Sequence, residues 1–446
     1  MEKSLILALD IGTSSVRASI FNDAAEPLRG MSVKIERTLD TTADRGSEID
    51  ADEAFAQVVA AIDALLEKAK KLKGEITHVA SCSFWHSVMG IDAKGKPTTK
   101  LLGWADTRSR EYSGVLKKRF DEEELHDRTG AHFHSSYWPA KLLWLRHEHA
   151  EVFAKTTMWL SFSDYVALRL FDKTKTSVSM ASGTGIFNIR KCKWDAKLLK
   201  TLKISPDNLP EISENDSATF KLNKKYAKRW PRLAAAQWFP AIADGAADHI
   251  GSCGFGKSKA SLMVGTSAAM RVAYRGEPPA KIPDGLWCYR VDRQSVIIGG
   301  ALSDGGNLYS LIKQRFHLPS NVDKLLLSRE APDDLVVIPF FFGERSTGYD
   351  ENARGAIIGL TATHDGIDVL LAAMEGVAFR LDDIYQRLKK VVKITDIVAS
   401  GGALRDSPVW TDIIASVLGK KLVINDTPEA SSRGAVLLAL ETTGKM

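Results

Sequence analysis

The sequence predicts a mixed α/β fold divided between two domains. Its 446 residues exceed the size of one ordinary hydrophobic core, which favours two or three domains. Helical and strand-like patterns alternate through both halves, and each half starts with a similar pair of strands joined by a Gly-Thr-Ser turn. We place the boundary at the end of the polar, turn-rich stretch 208–240. This gives an N-terminal domain over 1–241 and a C-terminal domain over 242–446.

The first predicted element is a β-hairpin in the opening segment LILALDIGTSSVRASIFN. An apolar run stops at Asp10, and strand-like alternation resumes at Val16 after the turn Gly12-Thr13-Ser14. A tight turn between two alternating segments is typical of a hairpin with no helix after the turn.

The rest of the N-terminal half combines helices and strands. Phe55 and Val58 belong to a set of apolar residues at helical spacing, which predicts a helix over 54–73. A strand is predicted over 76–84, and the pattern over 136–171 is largely helical.

The C-terminal half begins with a second hairpin, ASLMVGTSAAMRVAY over 260–274. Gly265-Thr266-Ser267 with Arg271 parallels the first turn with Arg17, and this placement at the start of each half supports a duplication. The remaining predicted elements are strands over 286–300 and 334–341, a helix over 365–390, and a strand, helix, strand and helix over 395–399, 409–418, 421–425 and 432–441.

Composition excludes several classes of function. Hydrophobic residues make up 44% and charged residues 26%, as in soluble globular proteins. The net charge of +5 is not concentrated in a compact basic run, so we predict no nucleic-acid partner. No apolar run approaches the ~20 residues of a membrane span, and the N-terminus lacks a signal-peptide pattern. We therefore expect a cytoplasmic protein with no membrane partner.

The four cysteines predict neither a zinc site nor a redox dithiol. Cys82, Cys192, Cys253 and Cys288 form no C-x-x-C pair. Cys82 and Cys288 lie in apolar runs, which predicts buried free thiols.

The stretch GSCGFGKS, over 251–258, fits the phosphate-loop pattern G-x-x-x-x-G-K-[ST]. A true phosphate loop follows a strand and opens a helix, whose N-terminus then faces the phosphate. Here the preceding ADGAADHIG is helical in character and the following SLMVG is strand-like. We therefore predict that Lys257 lies in a helix-to-strand connection and binds no phosphate.

The two Gly-Thr-Ser turns are better candidates for phosphate binding. Glycine allows close backbone approach, and successive N–H groups in a tight turn form an anion-binding nest. Asp10, at the end of the first strand, could hold Mg²⁺ directly or through water. A common hairpin turn explains one copy, whereas two copies, one of them preceded by an aspartate, favour phosphate binding.

Several ordered segments resemble the FGGY family of carbohydrate kinases. DIGTSSVR and VGTSAAMR are similar to its two phosphate motifs, FFGERSTGYDENARGAIIGL to its GER-x(n)-D-x-x-A-R-G segment, and VASGGALRDSPVWTDIIASVLGKKL to its adenosine motif. The resemblance covers nearly the whole chain. It implies an α/β fold of two ribonuclease-H-like domains, as in actin- and hexokinase-type ATPases, with a catalytic cleft between them. It also implies Mg²⁺-dependent transfer of the ATP γ-phosphoryl to a hydroxyl of a small sugar or polyol.

The resemblance also implies roles for individual residues. Asp244, at the start of a helix, would be the catalytic base and contact the substrate, whereas its local rival Asp248 is predicted to be a surface or packing residue. Asp10 would help place Mg²⁺. The ATP contacts would come from Gly12, Thr13, Ser14, Gly265, Thr266, Gly401, Gly402 and Ala403. For Gly401-Gly402 the alternative is a plain strand-to-helix turn.

Substrate contacts in this family lie in the first domain. SFWHSVMGIDAKGKP, over 83–97, matches the strand that carries a sugar contact, and His86 holds the histidine position. Trp85 is a second predicted contact; together with Phe84 it replaces the usual methionine and glutamine. Asp106 and Arg108 of WADTRS would either hold the sugar or form a structural ion pair.

A second aromatic pair bears on the shape of the predicted sugar pocket. Tyr137 and Trp138 lie in HSSYWPAK, next to a substrate-facing segment. If their rings face the cleft, the pocket is narrow and aromatic, which suits the C–H faces of a sugar.

The segments over 104–109 and 179–195 look most like the gluconate kinase branch, so gluconate is the predicted substrate. Xylulose kinase, or another pentulose or polyol kinase, is the alternative. The sequence alone identifies no cation for the gluconate carboxylate. A sugar-sensing protein without catalysis is one remaining alternative, which the presence of Asp10 and Asp244 disfavours. An actin- or chaperone-like ATPase is another, and it would not explain Asp244 with the GER segment or the strand that carries His86. A homodimer is compatible with the sequence.

Overall fold

The computed structural model describes residues 4–213, 219–425 and 427–445. In the N-terminal half the strands are β1 (Ser4–Ile11), β2 (Ser15–Phe21), β3 (Pro27–Glu36), β4 (Asp40–Thr41), β5 (Ser47–Ile49), β6 (Glu75–Ser83), β7 (Met89–Ile91), β8 (Leu101–Leu102), β9 (Met158–Leu160), β10 (Lys175–Thr176), β11 (Phe187–Asn188), β12 (Lys193–Trp194), β13 (Glu211–Ile212), β14 (Gln237–Trp238) and β15 (Ile242–Ala243). The helices are α1 (Ala51–Lys68), α2 (Arg110–Arg119), α3 (Glu122–Thr129), α4 (Trp138–Glu148), α5 (Ala150–Lys155), α6 (Phe162–Phe171), α7 (Val178–Ser182), α8 (Ala196–Leu202) and α9 (Lys224–Arg229).

The C-terminal half continues the alternation of helix and strand. Its strands are β16 (Lys259–Val264), β17 (Ala268–Arg275), β18 (Trp287–Arg290), β19 (Ser295–Leu302), β20 (Val336–Ile338), β21 (Ala356–Ile358), β22 (Asp396–Ser400) and β23 (Leu422–Ile424). The helices are α10 (Asp244–Cys253), α11 (Gly306–Arg315), α12 (Val322–Leu326), α13 (Gly366–Leu388), α14 (Gly402–Asp406), α15 (Pro408–Leu418) and α16 (Ala430–Thr442).

Two mixed six-stranded sheets organise these elements. In the first, the strand order is β14-β6-β1-β2-β3, with β15 also paired to β6. In the second, it is β18-β19-β17-β16-β22-β23. Each predicted Gly-Thr-Ser hairpin is confirmed as an antiparallel pair, β1 with β2 and β16 with β17. The first strand of each hairpin also has a parallel neighbour, β6 or β22.

Strand β1 is buried on both faces, as expected for the central strand of a covered sheet. Leu7 and Leu9 belong to one core cluster together with residues of α1. Ile6 and Ala8, which point to the opposite face, belong to another cluster with residues of α16. The last helix of the chain therefore covers the first sheet. Strand β15, just beyond the predicted boundary at 241, also pairs into that sheet, and the boundary itself stays a prediction.

The stretch GSCGFGKS is a helix-to-strand connection, as predicted. Helix α10 runs through Gly251 to Cys253, and β16 begins at Lys259. The Lys257 ammonium lies 4.5 Å from the centroid of the Tyr274 ring. Gly251 has a packing role, because a Cβ there would lie 1.9 Å from the Ala430 carbonyl oxygen of α16.

Two predicted segments are interrupted. The single strand predicted over 286–300 is two strands, β18 and β19, joined by a turn that the Val291 N–H closes onto the Ser295 carbonyl. The helical segment over 136–171 contains β9 between α5 and α6. The first break falls at the polar residues Asp292, Arg293 and Gln294, and the second is a strand of only three residues, which is too short to show against the helical pattern around it.

The structure also bears on the two predicted thiols and on membrane-spanning helices. Cys82 and Cys288 are buried free thiols, as predicted. No helix in the described part of the chain is long and apolar enough to cross a membrane.

Candidate active site

The first hairpin places Asp10 at the centre of its sheet. Asp10 lies opposite Arg17 of β2 on one side and Cys82 of β6 on the other. The Cys82 Sγ lies 3.5 Å from Asp10 Oδ1. Burial raises the pKa of Asp10, and the Cys82 thiol and Arg17 oppose this shift. A buried carboxylate of this kind is stabilised by a cation.

Helix α10 places two more carboxylates at the same cleft. Asp244 is its first residue, and its Oδ1 accepts a 2.7 Å hydrogen bond from the Gly245 N–H. Burial raises the pKa of Asp244 to about 6, and the negative charge of Asp10 acts in the same direction. Asp248 follows one helical turn later on the same face.

Asp248 lines the first cavity and is not a surface residue, so the surface alternative of its prediction is wrong and the packing alternative stays open. Its Oδ2 is buried and has no hydrogen-bond partner. The closest cation is Arg271 of β17, whose Nη1 lies 4.0 Å from that oxygen and donates a 2.7 Å hydrogen bond to the Gly245 carbonyl. Arg271 therefore ties the first turn of α10 to the second hairpin.

These groups line one cavity of about 330 Å³. Its functional lining combines carboxylates, the two hairpin turns, aromatic rings and two arginines. The residues are Asp10, Thr13, Phe84, Trp85, His86, Trp104, Asp244, Asp248, Ser267, Arg271, Trp287, Tyr289 and Arg345.

The aromatic side of this cavity includes the predicted sugar contacts His86 and Trp85. His86 adopts a φ of +68°, and its Nδ1 is 2.5 Å from the Gly183 carbonyl oxygen. Burial lowers the pKa of His86 to about 3, so its ring is neutral and Nδ1 donates. The Trp85 Nε1–H donates to the Ser179 carbonyl at 3.0 Å, and its ring centroid lies 4.9 Å from that of Tyr289.

Tyr137 and Trp138 are packed behind the cavity and are not among its lining residues. The Tyr137 and Tyr289 hydroxyls are 2.6 Å apart. The Trp138 Nε1–H donates to the Ser87 carbonyl at 2.9 Å. The aromatic character of the cavity therefore comes mainly from β18 and the Trp85 loop.

Asp106 and Arg108 form an ion pair outside the lining of this cavity. The Arg108 Nη2 lies 2.6 Å from an Asp106 carboxylate oxygen and 2.6 Å from one of Glu48. The guanidinium also lies over the Trp144 ring, 5.1 Å from its centroid. Of the two alternatives for this pair, the geometry favours the structural ion pair.

A second cavity, of about 490 Å³, lies on the other side of the second hairpin turn. Gly265 and Thr266 line this cavity, whereas the next residue, Ser267, lines the first one. Two further predicted ATP contacts, Gly402 and Ala403 at the start of α14, also line the second cavity. The turn therefore stands between the two cavities.

The glycine at the start of α14 is required by its surroundings. Gly401 has a φ of +104°, and a Cβ there would lie 2.2 Å from the Val264 carbonyl oxygen. The first turn is also tight, because the Gly12 N–H donates to the Ser15 carbonyl at 2.9 Å. Gly12 and Ser14 are not among the lining residues of either cavity, unlike Thr13.

Sequence reasoning missed several residues of the first cavity. Trp104 lies in WADTRS and Arg345 lies in the GER segment, and both segments resemble family motifs. These motifs are the signal that could have identified the two residues. Trp287 and Tyr289 lie on β18, which reaches the cavity only through the pairing of β18 with β19. No local signal marks them.

The carboxylates of the first cavity fit a magnesium ion held partly by its substrate. Within the described ranges no group of three His, Cys, Asp or Glu side chains is arranged to hold a metal by itself. Mg²⁺ in nucleotide sites typically keeps several waters and takes one or two carboxylates plus phosphate oxygens. The unpartnered Asp248 Oδ2 and the raised pKa of Asp10 are consistent with a cation here.

Comparison with known families identifies the chain. The model of the FGGY N-terminal domain matches residues 5–235, and that of the FGGY C-terminal domain matches 260–442. The chain belongs to the FGGY family of carbohydrate kinases. It is therefore a phosphotransferase that acts on an alcohol group of a small sugar-like substrate.

The relatives include kinases for different sugars. The chain is 26% identical to a gluconokinase of Bacillus subtilis, over 99% of this chain and 88% of the relative. It is 24% identical to a xylulose kinase of Staphylococcus xylosus, over 97% and 90% of the two chains. A gluconate kinase structure from Lactobacillus acidophilus superposes with a TM-score of 0.89 at 27% identity, covering 99% of this chain and 90% of that one. The predicted two-domain fold of the actin and hexokinase type is thereby confirmed.

Proposed function

We propose that this FGGY kinase transfers the γ-phosphoryl group of ATP, with Mg²⁺, to a hydroxyl of gluconate. The observation that carries the proposal is the convergence of Asp244, Asp10 and Ser267 on one cavity. Gluconate is favoured by the sequence segments over 104–109 and 179–195, and by the relatives that are gluconate kinases. Xylulose, or another pentulose or polyol, is the second candidate, because xylulose kinases are also among the relatives.

Asp244 accepts the proton of the attacking hydroxyl. A general base works best when its pKa is close to the operating pH, and burial brings the pKa of Asp244 to about 6. The Gly245 N–H and Arg271 hold the first turn of α10, and so orient the carboxylate. The sugar lies against Trp85 and His86, whose flat faces suit its C–H surfaces.

The nucleotide lies in the second cavity, with its phosphates directed past the second hairpin turn. Gly401, Gly402 and Ala403 allow the nucleotide to lie against backbone, and Gly265 and Thr266 contact its phosphates. On the other side of the transferred group, the first turn, with Gly12, Thr13 and Ser14, contributes further donors. Mg²⁺, bound near Asp10, would neutralise the phosphate charge. Little further covalent chemistry is required of the protein in phosphoryl transfer.

A substrate panel tests this proposal. Purified protein is given Mg·ATP with gluconate, xylulose, ribulose, glycerol or glucitol, and sugar-dependent ADP release is measured. The expected result is the highest kcat/KM with gluconate. Preference for xylulose or ribulose would support the second candidate, and absence of turnover with gluconate would contradict the first.

A further inference from the structure

Arg345 is a cation in the first cavity, and no carboxylate in the described part of the chain forms an ion pair with it. It follows β19 and α11 in the chain and lies in the GER segment, and its side chain lines the cavity with Trp85, His86 and Tyr289. Among the described residues, none forms an ion pair or side-chain hydrogen bond with its guanidinium. Such a group, placed in a partly desolvated cleft, attracts an anion from outside.

The carboxylates next to Arg345 in the sequence are engaged elsewhere. Glu344 pairs with Arg380 at 2.6 Å and accepts the N–H groups of Gly348 and Asp350. Glu351 accepts the N–H and hydroxyl of Ser135 at 2.5 and 2.9 Å. Arg345 therefore has no carboxylate partner among these neighbours, because both glutamates are bound to other residues.

A tryptophan holds the guanidinium in place. Its carbon lies 5.0 Å from the centroid of the Trp104 ring, within the range of a cation–π interaction. Stacking uses the flat face of a guanidinium, whereas its hydrogen bonds are donated in the plane. The arrangement therefore leaves donors available for a planar, two-oxygen acceptor.

The charge of Arg345 acts on the aromatic part of the cavity. Its charge adds to burial in lowering the pKa of His86, and it opposes the burial that raises the pKa of Tyr289. Asp244 instead responds to Arg271 and Asp10. The cavity thus brings together three carboxylates, a group of aromatic rings and the Arg345 guanidinium.

We propose that Arg345 binds the carboxylate of an open-chain sugar acid and is the residue that selects such acids over neutral polyols. The inference rests on the proposed function, which it deepens. The GER segment that contains Arg345 is shared by the family. The inference therefore rests on the contacts around Arg345, which are the Trp104 ring and the two glutamates that pair with other residues.

The test compares gluconate with glucitol, its neutral counterpart at the carboxylate carbon, in wild type and Arg345→Gln. Removing one partner of a desolvated charge pair lowers kcat/KM by roughly 10²-fold. We expect that loss for gluconate, mainly through KM, and a change below about threefold for glucitol. Arg345→Lys should recover part of the loss, because a point charge replaces a bidentate donor. Arg29→Gln, on the exposed outer part of β3, is the control for loss of a positive charge.

The outcomes separate this inference from the proposed function. If wild type phosphorylates no sugar acid, the proposed function fails. If wild type accepts gluconate but Arg345→Gln loses kcat alone, or loses equally on both substrates, gluconate phosphorylation stands and the role of Arg345 is overturned. Where glucitol turnover is too slow, gluconate binding is measured by calorimetry without nucleotide. Loss of that binding with unchanged ATP binding supports the assignment, and unchanged gluconate binding overturns it.

Discussion

Asp244 shows how one side chain acquires its chemistry from its surroundings. An ordinary aspartate is a poor general base near neutral pH because its pKa is close to 4. Burial at the start of α10, next to Asp10, disfavours the ionised form and raises the pKa of Asp244 to about 6. The same residue remains oriented by the Gly245 N–H. Its proton affinity and its position therefore have separate causes.

The pH dependence of turnover follows from this shift. The base form of Asp244 is lost as pH falls through its pKa of about 6, so kcat/KM for the sugar should drop ~tenfold per pH unit below that value. Asp244→Asn should lower kcat by roughly 10²- to 10⁴-fold and remove this limb of the profile. Steady-state kinetics from pH 5 to 8 measure both effects, with the exposed Asp23→Asn as control. A flat wild-type profile would show that another group accepts the proton.

At the scale of elements, the contact between α10 and α16 links the helix of the proposed base, Asp244, to the last described helix of the chain. A Cβ at Gly434 of α16 would lie 1.9 Å from the Ala247 carbonyl oxygen, and one at Gly251 would meet Ala430 equally closely. The two helices therefore cross at glycines, and α16 continues onto the first sheet.

Gly251→Ala should destabilise the protein by overpacking this crossing. The clash is with backbone, which cannot move aside, so we expect a loss of about 1–3 kcal/mol or more. Gly114→Ala is the matched control, because Gly114 also lies in a helix and a Cβ there meets nothing within 4 Å. That substitution should be neutral or stabilise by up to ~1 kcal/mol. Denaturant midpoints compare the two variants, and equal effects would contradict the packing role of Gly251.

The connection after α10 supplies a second prediction at this scale. Lys257 lies over the Tyr274 ring and in neither cavity, so Lys257→Ala should change the KM for ATP less than twofold. Gly401→Ala should raise that KM at least ~tenfold, because its φ of +104° and the nearby Val264 carbonyl exclude a side chain. A large effect of Lys257→Ala would mean that the phosphate-loop pattern is functional after all.

At the scale of the whole molecule, contacts near the sugar end of the cleft join the two halves of the chain. The Cys288 N–H donates to the Gly130 carbonyl at 2.9 Å, and the Tyr137 and Tyr289 hydroxyls are in contact. Glu351 holds the backbone and side chain of Ser135. Contacts of this kind can exclude water from a kinase cleft and so limit wasteful ATP hydrolysis.

Glu351→Ala should therefore loosen the coupling between sugar and ATP. We expect a several-fold rise in the KM for the sugar and more ADP released per sugar phosphate formed, because the cleft admits water more readily. The measurement is the ratio of ADP to phosphorylated product. Glu330→Ala, an exposed carboxylate on another loop, is the control. An unchanged ratio and KM would show that the Glu351 contact has no part in closing the cleft.

Local patterns in the sequence were sufficient to predict the two hairpins and the position of Asp244 at the start of a helix. They also predicted that GSCGFGKS connects a helix to a strand, which is not the setting of a phosphate loop. Each depends on periodicity and on residues adjacent in the chain. The same reasoning allowed a surface position for Asp248, because the orientation of a helix face relative to another sheet has no local signal. It also left the Asp106–Arg108 pair undecided, since its partner Glu48 is distant in sequence.

The sequence by itself determined the family, the two-domain α/β fold and the positions of the two Gly-Thr-Ser turns. The tertiary structure decided which side chains line the first cavity. Trp287 and Tyr289 reach it through strand pairing, and Arg345 remains unpaired because Arg380 and Ser135 engage its neighbouring carboxylates. The reason is physical: backbone conformation follows from nearby residues, whereas the charge and shape of a cavity are set by side chains that only folding brings together.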